Sequence, residues 1–139
     1  MVFPLPFGED TGTTQDEEMA LTRAIFVVLL LCLTFEYEIA HAKLWIVGDE
    51  AGWDYNVSPW PLNKDIKPKD QLLFQYDPRD HDVAVVPEAY YEACKIERNQ
   101  SAIFYRTGND TITLASGGNF FISSVLDDCQ NGIQMAVYT

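Results

Sequence analysis

From residue 43 onward the sequence predicts an all-β domain, a sandwich or barrel of short antiparallel strands. Three observations carry that reading. Apolar runs of strand length recur along the chain, turn-forming clusters interrupt them about every 8–12 residues, and only one segment, residues 88–94 (EAYYEAC), has helical character.

The elements follow in order. Residues 44–47 (LWIV) form a first strand, stopped by Gly48-Asp49. Residues 71–76 (QLLFQY) follow Pro68-Lys69-Asp70 and stop at Asp77-Pro78. Residues 83–86 (VAVV) are halted by Pro87, whose ring cannot donate to a ladder. After the helical segment, residues 102–105 (AIFY) run to the turn cluster Gly108-Asn109-Asp110. Residues 111–114 (TITL) end before Ser116-Gly117-Gly118, and residues 120–123 and 133–138 complete the set. Trp45, Trp53, Trp60, Phe74, Tyr76 and Phe121 are expected in the core, because a small sandwich needs the apolar area of its aromatics.

The first 42 residues read differently. Residues 24–35 (AIFVVLLLCLTF) are continuously apolar, Arg23 precedes them, and Ala40-His41-Ala42 follows. A basic residue, a short apolar core and an A-x-A exit describe a secretory signal peptide, and 12 residues fall short of the ~20 needed to span a bilayer. Residues 1–18 fit this poorly, since GEDTGTTQDEE is acidic where a signal's leading region is basic. The expected organisation is an extension at 1–18, a signal peptide at 19–42 starting at Met19 rather than Met1, and a domain at 43–139. No second hydrophobic segment follows Tyr138, so no signal for a glycolipid (GPI) anchor is expected in this chain.

Of the three cysteines, Cys32 would leave with the signal; Cys94 and Cys129 allow one pairing in an oxidising compartment. Three N-x-[ST] sequons occur, at Asn56, Asn99 and Asn109, and behind a signal they favour surface glycosylation. Asn56 is the weakest, because Pro59 follows Ser58. The whole chain has 139 residues and a net charge of −12, which excludes nucleic acid as a partner for want of a basic footprint.

Several motifs share an order. Val47-Gly48-Asp49-x-x-Gly52-Trp53, Trp60, Asp70-x-Leu72-x-Phe74-x-Tyr76, His81-Asp82-Val83, Tyr91-x-x-Cys94, the run from Thr107 to Leu114, Phe121-Ile122 and Cys129-Gln130-x-Gly132 together resemble the phytocyanins, plant blue-copper proteins. The resemblance covers residues 43–139. It implies a cupredoxin-like Greek-key sandwich of seven or eight strands with one short helix, and a Cys94–Cys129 disulfide.

It also implies a copper site, which can be checked residue by residue. A blue-copper centre needs two imidazoles, a thiolate and a weak axial Met or Gln. With Cys129 setting the register, His81 stands at the first imidazole position. The second imidazole is replaced by Asp128, the thiolate by Ser123 and the axial ligand by Ile133. Gln134 and Met135 are displaced from the axial position by one and two residues. This pattern is similar to the early nodulin-like branch of the phytocyanins, in which copper is presumed absent; the retained His81 departs from that branch.

The expected function is therefore that of a secreted, copper-free glycoprotein acting as a structural or recognition module at the plant cell surface or in the matrix. Matrix glycans or cell-surface proteins are its expected partners, and neither a cofactor nor an enzymatic activity is expected. The alternatives are a blue-copper electron carrier and a weak His81/Asp128 metal site. A Ser-His-Asp hydrolase matches by residue type alone, without a nucleophile elbow or oxyanion hole. His81 is expected at the surface bonded to a nearby acid, and Asp77, Asp80 and Asp82 in a solvated loop.

Overall fold

A computed structural model describes residues 11–37, 41–97 and 101–139. The chain falls into two compact units, Met1–His41 and Ala42–Thr139. Among the described residues the first contains one α-helix, α1 (Thr11–Tyr37). Its sequence holds no proline and, beyond Gly12, no glycine, so nothing interrupts the hydrogen-bond ladder. Residues 14–34 are all exposed, including the large apolar side chains from Ile25 to Leu33. Among the described residues no helix is long and apolar enough to cross a membrane.

The second unit is a two-sheet β structure, as the sequence predicts. One sheet contains β1 (Leu44–Ile46), β2 (Gln71–Gln75) and β5 (Asn109–Thr113), in the order β1-β2-β5. The other contains β3 (Val83–Val86), β4 (Ile103–Tyr105), β6 (Gly118–Ile122) and β7 (Gln134–Tyr138), in the order β4-β3-β6-β7. All pairings are antiparallel except β1 with β2, which is parallel. The short helix α2 (Glu88–Ala93) begins after Pro87 and ends at Cys94, whose backbone is left-handed at φ 50°.

Alternation along the strands builds the core. In β2, Leu72 and Phe74 are buried while Gln71 and Gln75 are exposed; in β5, Asp110 and Ile112 are buried between exposed neighbours. Leu72, Phe74 and Ile112 from the first sheet and Val83, Phe121, Met135 and Val137 from the second belong to one buried cluster with Trp53 and Ile133. Phe74 sits 5.1 Å from both Trp53 and Phe121, ring centre to ring centre. A second cluster, Ala84, Val86, Phe120, Ile122 and Cys129, lies on the other face of the second sheet, where Tyr90, Tyr91 and Cys94 cover it. Trp45, Trp60 and Tyr76 are only partly buried against the main core.

One boundary differs from the sequence expectation in an informative way. The cluster Gly108-Asn109-Asp110 reads as a turn, yet β5 starts at Asn109, paired with Gln75. Asp110 is 6% exposed and accepts from Tyr76 Oη, Thr107 Oγ1 and the Thr107 amide. Its side chain caps the turn before the strand, so a turn-forming residue also occupies a ladder position.

Candidate functional site

At one end of the sandwich two loops meet. The first, residues 77–82, joins β2 to β3 and carries His81; the second, residues 123–133, joins β6 to β7 and carries Ser123 and Asp128. Trp53 fixes the first loop by donating its indole N–H to the Asp82 carbonyl across 2.8 Å in the buried core. The second loop is tied at both ends: the Ser123 amide donates to the Ile133 carbonyl at 3.1 Å, and the Ile133 amide to the Asp128 carbonyl at 3.0 Å.

These constraints bring His81, Ser123 and Asp128 together. Asp128, 4% exposed, holds its Oδ2 2.7 Å from His81 Nδ1 and 2.7 Å from Ser123 Oγ. A carboxylate can only accept, so both neighbours donate and Nδ1 carries the imidazole proton. Tyr55 Oη donates to Asp128 Oδ1 at 3.4 Å, and the Tyr55 ring stands edge-on to His81 at 5.5 Å. The free Nε2 of His81 faces Asp54 Oδ1 at 3.7 Å.

Two expectations are corrected here. The His81 side chain is only 12% exposed, so it is not a surface histidine, although its acid partner is as expected. Asp82 is not a solvated loop residue: at 4% exposure it accepts from the Ser124 amide at 2.6 Å and from Ser124 Oγ, with Arg106 Nε at 3.4 Å. Asp77 does stay at the surface, bonded through both oxygens to Arg79, and that pairing lowers its carboxyl to about 2.

Sequence reasoning missed Tyr55, Asp54, Ser124 and Arg106 as members of this constellation. Asp54 and Tyr55 had one signal, the Gly48 and Gly52 pair; Ser124 and Arg106 had none. A Cβ on Gly48 (φ +74°) would stand 2.0 Å from the Gly52 carbonyl oxygen, so the chain folds back tightly there before delivering Asp54 and Tyr55 to the site.

The residues do not fit a blue-copper ion. The thiolate position offers a Ser123 hydroxyl already spent on Asp128, and the second imidazole position is a carboxylate accepting from three neighbours. Ile133 is fully buried and offers no donor atom. Met135 is fully buried in the main core, opposite Phe121 across the ladder. Gln134 Oε1 lies 3.6 Å and 3.5 Å from the sulfurs of Cys94 and Cys129. Among the described residues, no group of three or more His, Cys, Asp or Glu side chains is placed to hold a metal ion. Nor does the trio form a hydrolase triad, because Asp128 stands between Ser123 and His81 and no imidazole nitrogen faces the hydroxyl.

The Cys94–Cys129 disulfide is formed, with the Cα atoms 5.6 Å apart, tying the end of α2 to the 123–133 loop. Asn56 and Asn109 are both exposed. Asn99 lies outside the described residues.

Fold and site together define a cupredoxin-like domain in which two loops at one end are joined through hydrogen bonds. The family model of the plastocyanin-like domain matches residues 45–133. The chemocyanin of Lilium longiflorum is 38% identical over 110 residues, spanning 79% of this chain and 86% of that one. Early nodulin-like protein 22 of Arabidopsis thaliana is 36% identical over 126 residues, spanning 86% and 89%. The solved structure of cucumber basic protein, a blue copper protein, superposes with a TM-score of 0.66 at 34% identity, covering 70% of this chain and 99% of that one. The chain belongs to the phytocyanin family.

Proposed function

We propose that this chain is a secreted phytocyanin that has given up blue-copper electron transfer and works as a structural or recognition module at the plant cell surface or in the extracellular matrix. The observation that carries this reading is the Ser123–Asp128–His81 chain, which occupies the family's ligand positions with a buried, mutually satisfied hydrogen-bond network. Residues 19–42 act as the signal, removed after Ala42, and residues 43–139 as the mature domain, with residues 1–18 an extension ahead of the signal. In support, α1 is apolar on every side over residues 24–33 and leaves that surface uncovered, as suits a segment destined for lipid rather than for a folded core. Asn56, Asn99 and Asn109 carry glycans in this reading, and matrix glycans or cell-surface proteins are the partners.

The deciding experiment measures metal content and the visible spectrum of protein purified from a plant secretory system, before and after cupric ion is added. The reading requires a colourless protein without stoichiometric copper. A tightly bound cupric ion with an intense thiolate charge-transfer band would restore the electron carrier.

One distance favours a second reading, a weak divalent-metal module. His81 Nε2 lies 3.7 Å from Asp54 Oδ1 while Asp128 orients the ring from behind, the arrangement in which carboxylates commonly support ligating histidines. Calorimetric titration with Zn²⁺, repeated on His81→Ala, tests it: heats that persist in the variant remove this reading.

A further inference from the structure

Asp70 is a buried carboxylate at the start of β2, only 4% exposed. Three N–H groups converge on it. Trp45 Nε1 donates to Oδ2 at 2.9 Å and the Lys67 amide to the same oxygen at 3.0 Å. The third donor is the backbone nitrogen of Lys43, 2.9 Å from Oδ1. Lys43 also accepts at its carbonyl from the Gln71 amide at 2.8 Å, so the residue is seated at the head of the β1–β2 pairing.

Lys43 is the residue that removal of the signal would expose. Hydrolysis of the Ala42–Lys43 peptide bond adds hydroxyl to the Ala42 carbonyl carbon and hydrogen to the Lys43 nitrogen. The amide that donates one hydrogen to Asp70 then becomes an α-amine, protonated at neutral pH, with three donors and a full positive charge. The same atom, in the same place, changes from a neutral donor to a cation beside a buried anion. Charge-assisted bonds of this kind are roughly twice as strong as neutral ones.

We propose that Asp70, with the Trp45 indole and the Lys67 amide that orient it, is a receptor for the new α-ammonium of Lys43, so that cutting the chain locks its own N-terminal strand. The inference rests on the cut after Ala42 assigned above. β1 has three residues and, among the described residues, pairs only with β2, so it is an edge strand liable to fray. An ion pair at its first residue holds it. The lysine side chain adds a weaker, longer-range contribution: Lys43 Nζ stands 3.7 Å above the Trp45 ring, and its charge also favours the Asp70 anion. Asp70 is therefore satisfied on both oxygens only when the Lys43 nitrogen is in place.

The test uses the full chain expressed in secreting plant cells. The mature N-terminus is read by mass spectrometry, and the α-amine is acetylated with limiting reagent at pH 7, folded and in urea. The free base is the reactive form, and each tenfold slowing means a tenfold smaller free-base population. We expect a chain starting at Lys43 whose α-amine reacts at least about tenfold more slowly folded than unfolded, and Asp70→Asn to abolish most of that difference. Should Asp70→Asn not fold, the folded-to-unfolded ratio of the natural protein decides by itself. A Lys43 terminus that reacts equally fast in both states overturns the receptor and leaves the cut standing. A terminus at any other residue overturns both.

Discussion

His81 and Asp128 are 47 residues apart in the chain, yet Nδ1 and Oδ2 meet at 2.7 Å. This bond joins the loop before β3 to the loop before β7, and Ser123 adds a second donor to the same oxygen at 2.7 Å. Where a metal would hold these loops by coordination, a carboxylate holds them by accepting hydrogen bonds. Replacing Asp128 by Ala should leave a largely buried imidazole and a buried hydroxyl without their acceptor, a loss of about 2–3 kcal/mol. Urea unfolding of the variant checks this; an unchanged midpoint would mean that water replaces the carboxylate without penalty.

Returning the family's donors should return its chemistry. Ser123→Cys alone places a thiolate beside the Asp128 carboxylate, a hard oxygen donor, and should bind copper weakly and without strong colour. The triple variant Ser123→Cys, Asp128→His, Ile133→Met restores two imidazoles, a thiolate and a thioether with His81 already in place. It should take up cupric ion and become intensely coloured, as read by visible absorption. A colourless triple variant would show that the loop's course, and not only its side chains, has departed from the copper-binding form.

The Cys94–Cys129 bond closes a loop of sequence separation 35. In the chain-entropy view such a closure stabilises the fold by roughly 3–4 kcal/mol. Cys94→Ala with Cys129→Ala should lower the unfolding free energy by about that amount, measured by denaturant titration, with a steeper transition because the unfolded chain, freed of its cross-link, exposes more surface.

Phe74 links the two sheets, with Trp53 on one side and Phe121 on the other. Truncation to Ala opens a cavity among side chains that cannot collapse, because Trp53 is held by its bond to the Asp82 carbonyl. The expected loss is about 3–5 kcal/mol in a thermal or urea melt. Since Trp53 and Asp82 abut the His81 loop, the same variant should broaden the His81 imidazole signals in an NMR spectrum.

What could be read from the sequence was what depends on local chemistry. Strand alternation in residues 71–75 and the stop at Pro87 each act through neighbours in the chain, and each is visible there; the cysteine pairing was legible by count, since only Cys94 and Cys129 remain once Cys32 is set aside with the signal. The gathering of His81, Ser123 and Asp128 was legible only because Cys129 fixes the register of one loop and the resemblance supplies the other. Asp82 and Tyr55 were not legible. Their roles depend on how two loops approach across the end of the sandwich, and nothing in the letters around them distinguishes a buried, bonded aspartate from its solvated neighbours Asp77 and Asp80. Asp110 failed in the opposite direction: its turn chemistry was real, but tertiary pairing with β2 extended the strand through it.

Asp70 should also shape the acid limb of stability. Burial alone would raise its carboxyl, but the Lys43 amide, the Trp45 indole and the Lys67 amide all favour the charged form, and the net effect holds it below the ordinary carboxylate range. A carboxyl lowered in the folded state contributes stability that is fully present above its unfolded value, about 3.9, and is lost as pH falls through the folded one. Unfolding midpoints of the natural protein should therefore drop as pH falls below about 4, while those of Asp70→Asn, lower at neutral pH, should fall less over the same window. Parallel curves for the two proteins would mean that Asp70 is not a source of the acid sensitivity.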